Sequence, residues 1–494
     1  METVTNELDN NQKPVPESFE DFSPGWCEWA LKQREAIGPN VKVENVNVKR
    51  LSDDDTGLAD GGGLTDALIL RLEISYTGET NGNEPTTVIA KWFHKLTMNV
   101  ALKWRLLFRM FGETFGSGME EEVYRCDIKF YRDALPLIEK DFHHPKVYYT
   151  GIVDKGNRNF WNGTIKNKPC KVKTITLMED MKGWTSENFG QVFLKGGLDP
   201  VDKELCLKNI AVQHARFWGE KVDAVKHAFP KTAMCERQYR GASHSWMMAK
   251  YRNSKVSSIK SLAKLVASMK KEWEGHTYMT VKSEIKMPPW FTAEPLEDKT
   301  YPIFKDAAVL EMLETFIQRY PAFNKAVAMD FIKKPNQTLL HGDFHAGNHM
   351  YGVDENKGKI VCFDFQCVGL GMVTSDVVTF LGYQGIVSDF FPMAKAYHEA
   401  LLENGVENYS WDEFKKDMIL SFYELGLKGI MDLNSMPPSK LDEIMGIAGD
   451  KKKDFLQILE CGAFGWHLII LTDFYLQNKE AFLDVNSYFD IGKI

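Results

Sequence analysis

Asp343, Asn348 and Asp364 are spaced as phosphoryl transfer requires. Thr338-Leu339-Leu340 runs apolar into a polar loop, His341-Gly342-Asp343, and Asn348 follows Asp343 by five positions. A turn rich in Gly, Asp and Asn (352–358) leads to a second apolar run, Ile360-Val361-Cys362-Phe363, which ends on Asp364-Phe365-Gln366. One loop carboxylate can take the proton of an attacking hydroxyl. A neutral oxygen ligand five residues later and a carboxylate on the neighbouring strand can hold Mg²⁺ against nucleotide phosphates. Magnesium prefers oxygen ligands and keeps several waters, so one Asn and one Asp suffice. Two other readings compete. An acidic turn without function would look similar, and His341, His345 and His349, four apart, could be three metal ligands on one helical face. The interior glycines 342 and 347 would cost such a helix about 2 kcal/mol, which disfavours it.

The elements that must position these residues begin upstream. Pro24 to Ile37 reads as a helix with Trp26, Trp29, Ala30 and Leu31 on its buried face. Val41 to Lys49 alternates as a strand, but its valines change parity between Val43 and Val46, which predicts a bulge near Glu44-Asn45. Gly61-Gly62-Gly63 then sits in a loop before the apolar-rich strand Ala67 to Tyr76; such glycines let a backbone approach phosphates, and a hairpin tip would look the same. Lys91 stands inside the apolar strand Thr86 to Phe93, a rare position for a lysine unless it is paired. The alternative is an edge-strand lysine pointing to solvent. Asn99 to Phe111 is apolar with interspersed Lys103, Arg105 and Arg109, as either a helix packed on the sheet or an interfacial membrane helix would be. Met119 to Leu137 follows as a helix with acidic residues in its first turn. Strands at 143–153 and 171–178 come next, and the second ends in Leu177-Met178-Glu179-Asp180-Met181.

From Gly183 the pattern turns helical: Leu205 to Trp218, a long basic stretch from Tyr251 to Trp273, Ala307 to Phe331, and several helices after Asp376. Ser375-Asp376 opens one of these, where an acid would cap exposed N–H groups. His214 reads as a satisfied core histidine, and Trp411, Phe422, Tyr423, Trp466 and Tyr475 as core or as the lining of an apolar pocket.

His341-Gly342-Asp343, Asn348 and Asp364-Phe365-Gln366, with Val88-Ile89-Ala90-Lys91 upstream, resemble the small-molecule kinases of the protein-kinase-like fold. Among these, the Asp-Phe-Gln triplet followed by Gly371 and Ser375-Asp376 is most similar to the ecdysteroid-kinase-like (CHK kinase-like) proteins, relatives of aminoglycoside phosphotransferases and choline/ethanolamine kinases. The resemblance implies a two-lobed α+β fold, with a β-rich N-lobe and a mainly helical C-lobe. The expected division is a mobile tail and first helix over 1–40, an N-lobe with hinge over 41–181, and a C-lobe over 182–494. It implies ATP- and Mg-dependent transfer of the γ-phosphoryl group to a hydroxyl of a small organic molecule, a sterol-like or other lipophilic alcohol before a highly charged one. Asp343 is then the base and Asn348 and Asp364 the magnesium ligands. His345, two residues after Asp343, is placed to donate to the γ-phosphate. Gly61, Gly62 and Gly63 cover the phosphates, Lys91 orients them, and Glu179 and Met181 lie at the hinge whose backbone binds adenine. The family's glutamate partner of the lysine corresponds in register to Asp127, one methylene shorter; Glu120 and Glu122 remain alternatives. Asp376 braces the catalytic loop in the family. A pseudokinase that binds nucleotide or acts as a scaffold keeps the same fold and is the second expectation. A protein substrate is disfavoured because no Ala-Pro-Glu segment follows Asp364.

A net charge of −8 gives no whole-chain attraction to nucleic acid or anionic membrane. Eight cysteines without a C-x-x-C pair argue for reduced thiols and a cytoplasmic setting rather than a disulfide framework. No run approaches the 18 or so apolar residues of a membrane span. The 494 residues suffice for two to four domain-sized units.

Overall fold

The computed structural model describes residues 14–51, 67–94, 118–154, 172–187, 197–226, 287–294, 303–333, 337–382, 390–435 and 463–489, with 192, 228 and 267. Gly61–Gly63 and the segment 99–111 fall outside them, as does nearly all of 251–273. The chain divides into two compact units. The first is Met1–Arg105, Thr114–Arg132 and Pro145–Lys182; the second is Leu106–Glu113, Asp133–His144 and Gly183–Ile494.

The first unit is built on an antiparallel sheet of β1 (Val41–Arg50), β2 (Leu68–Gly78), β3 (Thr87–Phe93), β4 (Val147–Asp154) and β5 (Val172–Glu179), in the order β1-β2-β3-β5-β4. The bulge falls between Val43 and Asn45, and it lets all four valines of β1 join one core. On that back face Leu70, Leu72, Val88, Ala90, Trp92, Ile175 and Leu177 pack under α1 (Pro24–Lys32). The Ser23 side chain accepts from the Trp26 N–H at 3.2 Å to start α1. The helix is shorter than its sequence suggested: Glu35 takes a left-handed φ of 54°, and Cys27 is buried where Trp29 is only half-buried.

Residues 14–22 correct the expectation of a tail. Val15 and Phe22 are buried in this core. Trp92 Nε1 donates to the Pro16 carbonyl at 2.9 Å, and the Tyr149 hydroxyl donates to the Pro14 carbonyl at 2.9 Å. The strap runs so close to β4 that a Cβ at Gly151 would collide with the Pro14 oxygen. Its polar composition concealed the few apolar side chains that anchor it.

The front face of the sheet carries Arg71 of β2, Ile89 and Lys91 of β3, and Thr176 and Met178 of β5, since side chains alternate across a strand. Against it lies α2 (Gly118–Lys129), with Phe93 stacked on Tyr124 at a centroid distance of 3.7 Å. The expected helix over 119–137 stops at Lys129 and continues as a π-helical turn, Phe130–Ala134.

In the second unit, α3 (Pro200–Arg216) and α4 (Ala307–Lys333) accompany a strand pair and a small sheet. β6 (Trp184–Ser186), β8 (His349–Gly352) and β9 (Ile360–Cys362) form that sheet in the order β6-β8-β9. β7 (Gln337–Leu340) pairs antiparallel with β10 (Gly369–Met372). Helices α5 (Val373–Gly382), α6 (Phe390–Glu403), α7 (Trp411–Ser435) and α8 (Ala463–Gln477) follow, and two short helices, Lys479–Leu483 and Val485–Tyr488, end the described part. Phe422, Tyr423 and Tyr475 are fully buried core residues, with Phe422 stacked on Phe474. Among the described residues no helix is long and apolar enough to cross a membrane.

Candidate active site

The first unit places Lys91 on a central strand, between β2 and β5, which excludes an edge lysine turned to solvent. Its Nζ lies 3.2 Å from Asp127 Oδ2, and the two side chains are only 14% and 4% exposed. Two periodicities meet here. Lys91 and Phe93 are two apart on one strand face, and Asp127 and Tyr124 are three apart on one helix face, so one docking makes both contacts. The shorter side chain of Asp127 is therefore met by a close approach of α2. That helix is itself anchored: Arg125 holds Asp154 at the end of β4 through two bonds of 2.7 and 2.9 Å, and Arg34 donates to the Tyr131 carbonyl at 2.9 Å.

At the end of β5, the Glu179 side chain is exposed and accepts from the Lys146 N–H at 3.2 Å; its own N–H donates to the Lys146 carbonyl at 2.8 Å. Met181, half-buried, follows Asp180, whose carboxylate is gripped by Arg71 at 2.8 and 3.2 Å. The sequence reasoning missed Arg71. Its signal was the one that marked Lys91, a cation amid alternating apolar residues in Leu68-Ile69-Leu70-Arg71-Leu72.

In the second unit the loop after β7 is braced from behind by one buried carboxylate. Asp376 accepts from the His341 N–H at 2.7 Å and the Gly342 N–H at 3.1 Å. It does so from the first turn of α5, so it caps the loop's backbone and not its own helix. Gly342 has φ +86°, and a Cβ there would strike the Cys367 carbonyl, so this turn requires glycine. Behind Asp376, the buried His214 of α3 sets Nε2 at 3.2 Å from its Oδ2, and His214 Nδ1 lies 2.6 Å from the Tyr397 hydroxyl. His214 is thus a satisfied core residue tied to the loop through Asp376.

Both ring nitrogens of His341 are engaged with backbone, and among the described residues no group of three or more His, Cys, Asp or Glu could hold a metal ion, which disposes of the metal-triad alternative. His341 Nε2 lies 3.0 Å from the Phe363 carbonyl, which only accepts, so this nitrogen carries the hydrogen and Nδ1 accepts from the Asp343 N–H at 3.3 Å. Burial holds the His341 pKa below its ordinary value despite the nearby Asp376, as that bonding pattern needs a neutral ring. His349 Nδ1 donates to the His345 carbonyl at 2.9 Å, and burial pushes its pKa down to about 3. His345 Nδ1 accepts from the Gly347 N–H at 3.0 Å, which leaves the hydrogen of a neutral ring on Nε2. That Nε2 lies 3.6 Å from Asp343 Oδ2.

Asp343 and His345 are accessible, their side chains 31% and 22% exposed. Asn348 donates through Nδ2 to the Asp343 carbonyl at 2.8 Å, so its amide oxygen is the end turned to other work. The pairing of His349 with Cys362, continued by the Phe363 N–H to the Asn348 carbonyl at 3.1 Å, brings Asn348 and Asp364 out of the same end of the β8–β9 hairpin. Asp364 takes a left-handed φ of 69°, rare for a residue with a Cβ and typical of constrained functional positions. Buried Phe365 fixes the turn by packing on His341 at 4.7 Å. An amide oxygen and a carboxylate form an all-oxygen donor pair that fits Mg²⁺.

A profile of the ecdysteroid kinase-like family matches residues 67–404, more than half of the chain. No curated protein sequence matches. Among solved structures, the chain is similar to a Ralstonia eutropha protein provisionally named an aminoglycoside phosphotransferase. The two share 10% identity at a TM-score of 0.35, over 90% of this chain and 97% of that one.

Proposed function

The chain belongs to the ecdysteroid kinase-like family, and on that premise we propose that it moves the γ-phosphoryl group of ATP to a hydroxyl of a small organic molecule. The observation that carries this reading is the presentation of Asp343: an accessible carboxylate on a loop whose backbone is fixed by buried Asp376, with Asn348 tied to it.

Asp343 accepts the proton of the attacking hydroxyl as the oxygen–phosphorus bond forms, and the departing oxygen stays with ADP. His345, whose Nε2 lies 3.6 Å from Asp343 Oδ2, donates its one ring hydrogen to the transferring group. Lys91, held upright by Asp127, neutralises nucleotide phosphates. Asn348 Oδ1 and the Asp364 carboxylate would hold magnesium, which would supply charge neutralisation on the phosphate oxygens. The backbone around Glu179 and Met181 reads the adenine. The acceptor is a sterol-like or other lipophilic alcohol, an assignment supported by the family alone.

The test is a Mg-ATP consumption screen over sterols, amino alcohols and sugars, read by mass spectrometry of the acceptor. A mass gain of one phosphoryl group on one class, absent with Asp343→Asn, supports the reading. Mg-ATP binding without turnover on any class would sink it in favour of a nucleotide-binding scaffold.

A further inference from the structure

The front face of the first unit's sheet carries a second charged pair besides Lys91 and Asp127. Arg71 on β2 pairs across the ladder with Ile89 on β3, and Ile89 pairs with Met178 on β5, so the three side chains form one row. Lys91 and Thr176 form the neighbouring row. Arg71 reaches beyond its row and takes Asp180 in a fork, Nε to Oδ2 at 2.8 Å and Nη2 to Oδ1 at 3.2 Å. The Asp180 side chain is only 5% exposed and that of Arg71 22%. Lys182 Nζ stands 3.8 Å from the same carboxylate but is mostly solvated and contributes little. The Asp180 carbonyl accepts from the Lys182 N–H at 2.7 Å, and Gly183 follows with φ +77°. The 179–182 segment is therefore held by Lys146 at Glu179, by the turn from the Asp180 carbonyl to the Lys182 N–H, and by the Arg71 fork, which comes from two strands away.

We propose that Arg71 is a positioning residue for the nucleotide base, setting through Asp180 the height at which the 179–181 backbone meets that base. This rests on the phosphotransferase reading above. A two-bond fork fixes direction as well as distance, so lysine cannot replace it although it keeps the charge. Backbone groups displaced by a fraction of an ångström still meet a base, but they no longer distinguish one base edge from another. The pair thus sets discrimination between adenine and guanine nucleotides as well as affinity.

Calorimetric titration of the full chain with Mg-ATP and Mg-GTP tests this, using Arg71→Lys, Arg71→Ala and Asp180→Asn alongside thermal unfolding. Each variant should bind Mg-ATP about tenfold more weakly, with the ATP-to-GTP preference reduced. A purely structural role would lower the melting temperature and the bound fraction while leaving the preference unchanged, which would overturn the proposal. Arg71→Lys decides the matter if Arg71→Ala does not fold. Binding within twofold of the unaltered chain, at the same preference, would overturn this proposal alone. Failure of the unaltered chain to bind Mg-ATP would overturn the phosphotransferase reading with it.

Discussion

The Lys91–Asp127 pair is fixed by repeating secondary structure, whereas Asp343 is fixed by hydrogen bonds to the backbone of a loop. In the first case a strand period of two and a helix period of three to four place both members, and the Phe93–Tyr124 stack locks the register. In the second, no period operates. His341, Gly342 and Asp343 are held by Asp376, by the Phe363 carbonyl and by the His341 ring. The regular scaffold should carry binding, and the loop should carry turnover.

The sharpest break in that division is Asp343→Asn. It removes the base without touching Lys91, so transfer should fall about 10²- to 10⁴-fold, roughly 3–5 kcal/mol of barrier. Mg-ATP affinity measured by calorimetry should stay nearly unchanged. Full turnover in the purified variant would remove Asp343 from the chemistry.

On the other side, Asp127→Ala truncates one member of the buried Lys91–Asp127 pair, a change that costs on the order of 3–5 kcal/mol. Urea unfolding should show the loss, and Mg-ATP affinity should fall with it. Asp127→Glu keeps the counter-charge and should retain most of the affinity, at an overpacking cost of about 1–3 kcal/mol. If Asp127→Ala unfolds at the same urea concentration as the unaltered chain, the pair does not hold α2.

Asp376→Asn is a smaller perturbation of the loop. The carboxylate accepts from two backbone N–H groups and faces His214 Nε2, and an amide offers only one acceptor oxygen. One buried donor is then left facing an NH₂ group, at about 1–3 kcal/mol. Melting temperature and kcat should both drop while Mg-ATP affinity holds. A fall in affinity equal to that of Asp127→Ala would erase the contrast between the two scaffolds.

The same contrast explains what was legible in the sequence. The parity change among the β1 valines disclosed the bulge, and a cation among apolar residues disclosed Lys91, because both are signals of period. The early end of α2 at Lys129 and of α1 at Lys32 was not legible, since π-turn and left-handed backbone choices depend on contacts such as that of Arg34 with the Tyr131 carbonyl. The strap at 14–22 was hidden because its anchors are two apolar side chains in a polar stretch and backbone carbonyls, which every residue has. Local rules gave Asp376 a capping role and the family resemblance its bracing of the loop; the fold brings it to Gly342, 34 positions away. Arg71 was legible and overlooked. Its partner Asp180, 109 positions on, was not.

The gentlest test of the loop uses its neutral histidine. Burial holds the folded-state pKa of His341 below the ordinary value of about 6.5 that it regains on unfolding. Between those two values the unfolded chain binds a proton that the folded chain refuses. Stability contributed by the neutral ring is therefore fully present above about pH 6.5 and declines as pH falls, by at most about 1.4 kcal/mol per pH unit for one group. His341→Gln replaces the ring by a non-titrating amide that can still donate to the Phe363 carbonyl. Urea unfolding at pH 7.5 and pH 5.5 should show a shallower pH dependence in this variant, with part of the slope surviving through His349, which is also buried and neutral. Equal slopes in the two proteins would mean that His341 accepts a proton in place and that the ring does not brace the Asp343 N–H. A lower kcat at pH 7.5, with the shallower slope, would instead show the brace reaching from the buried ring to the reacting carboxylate.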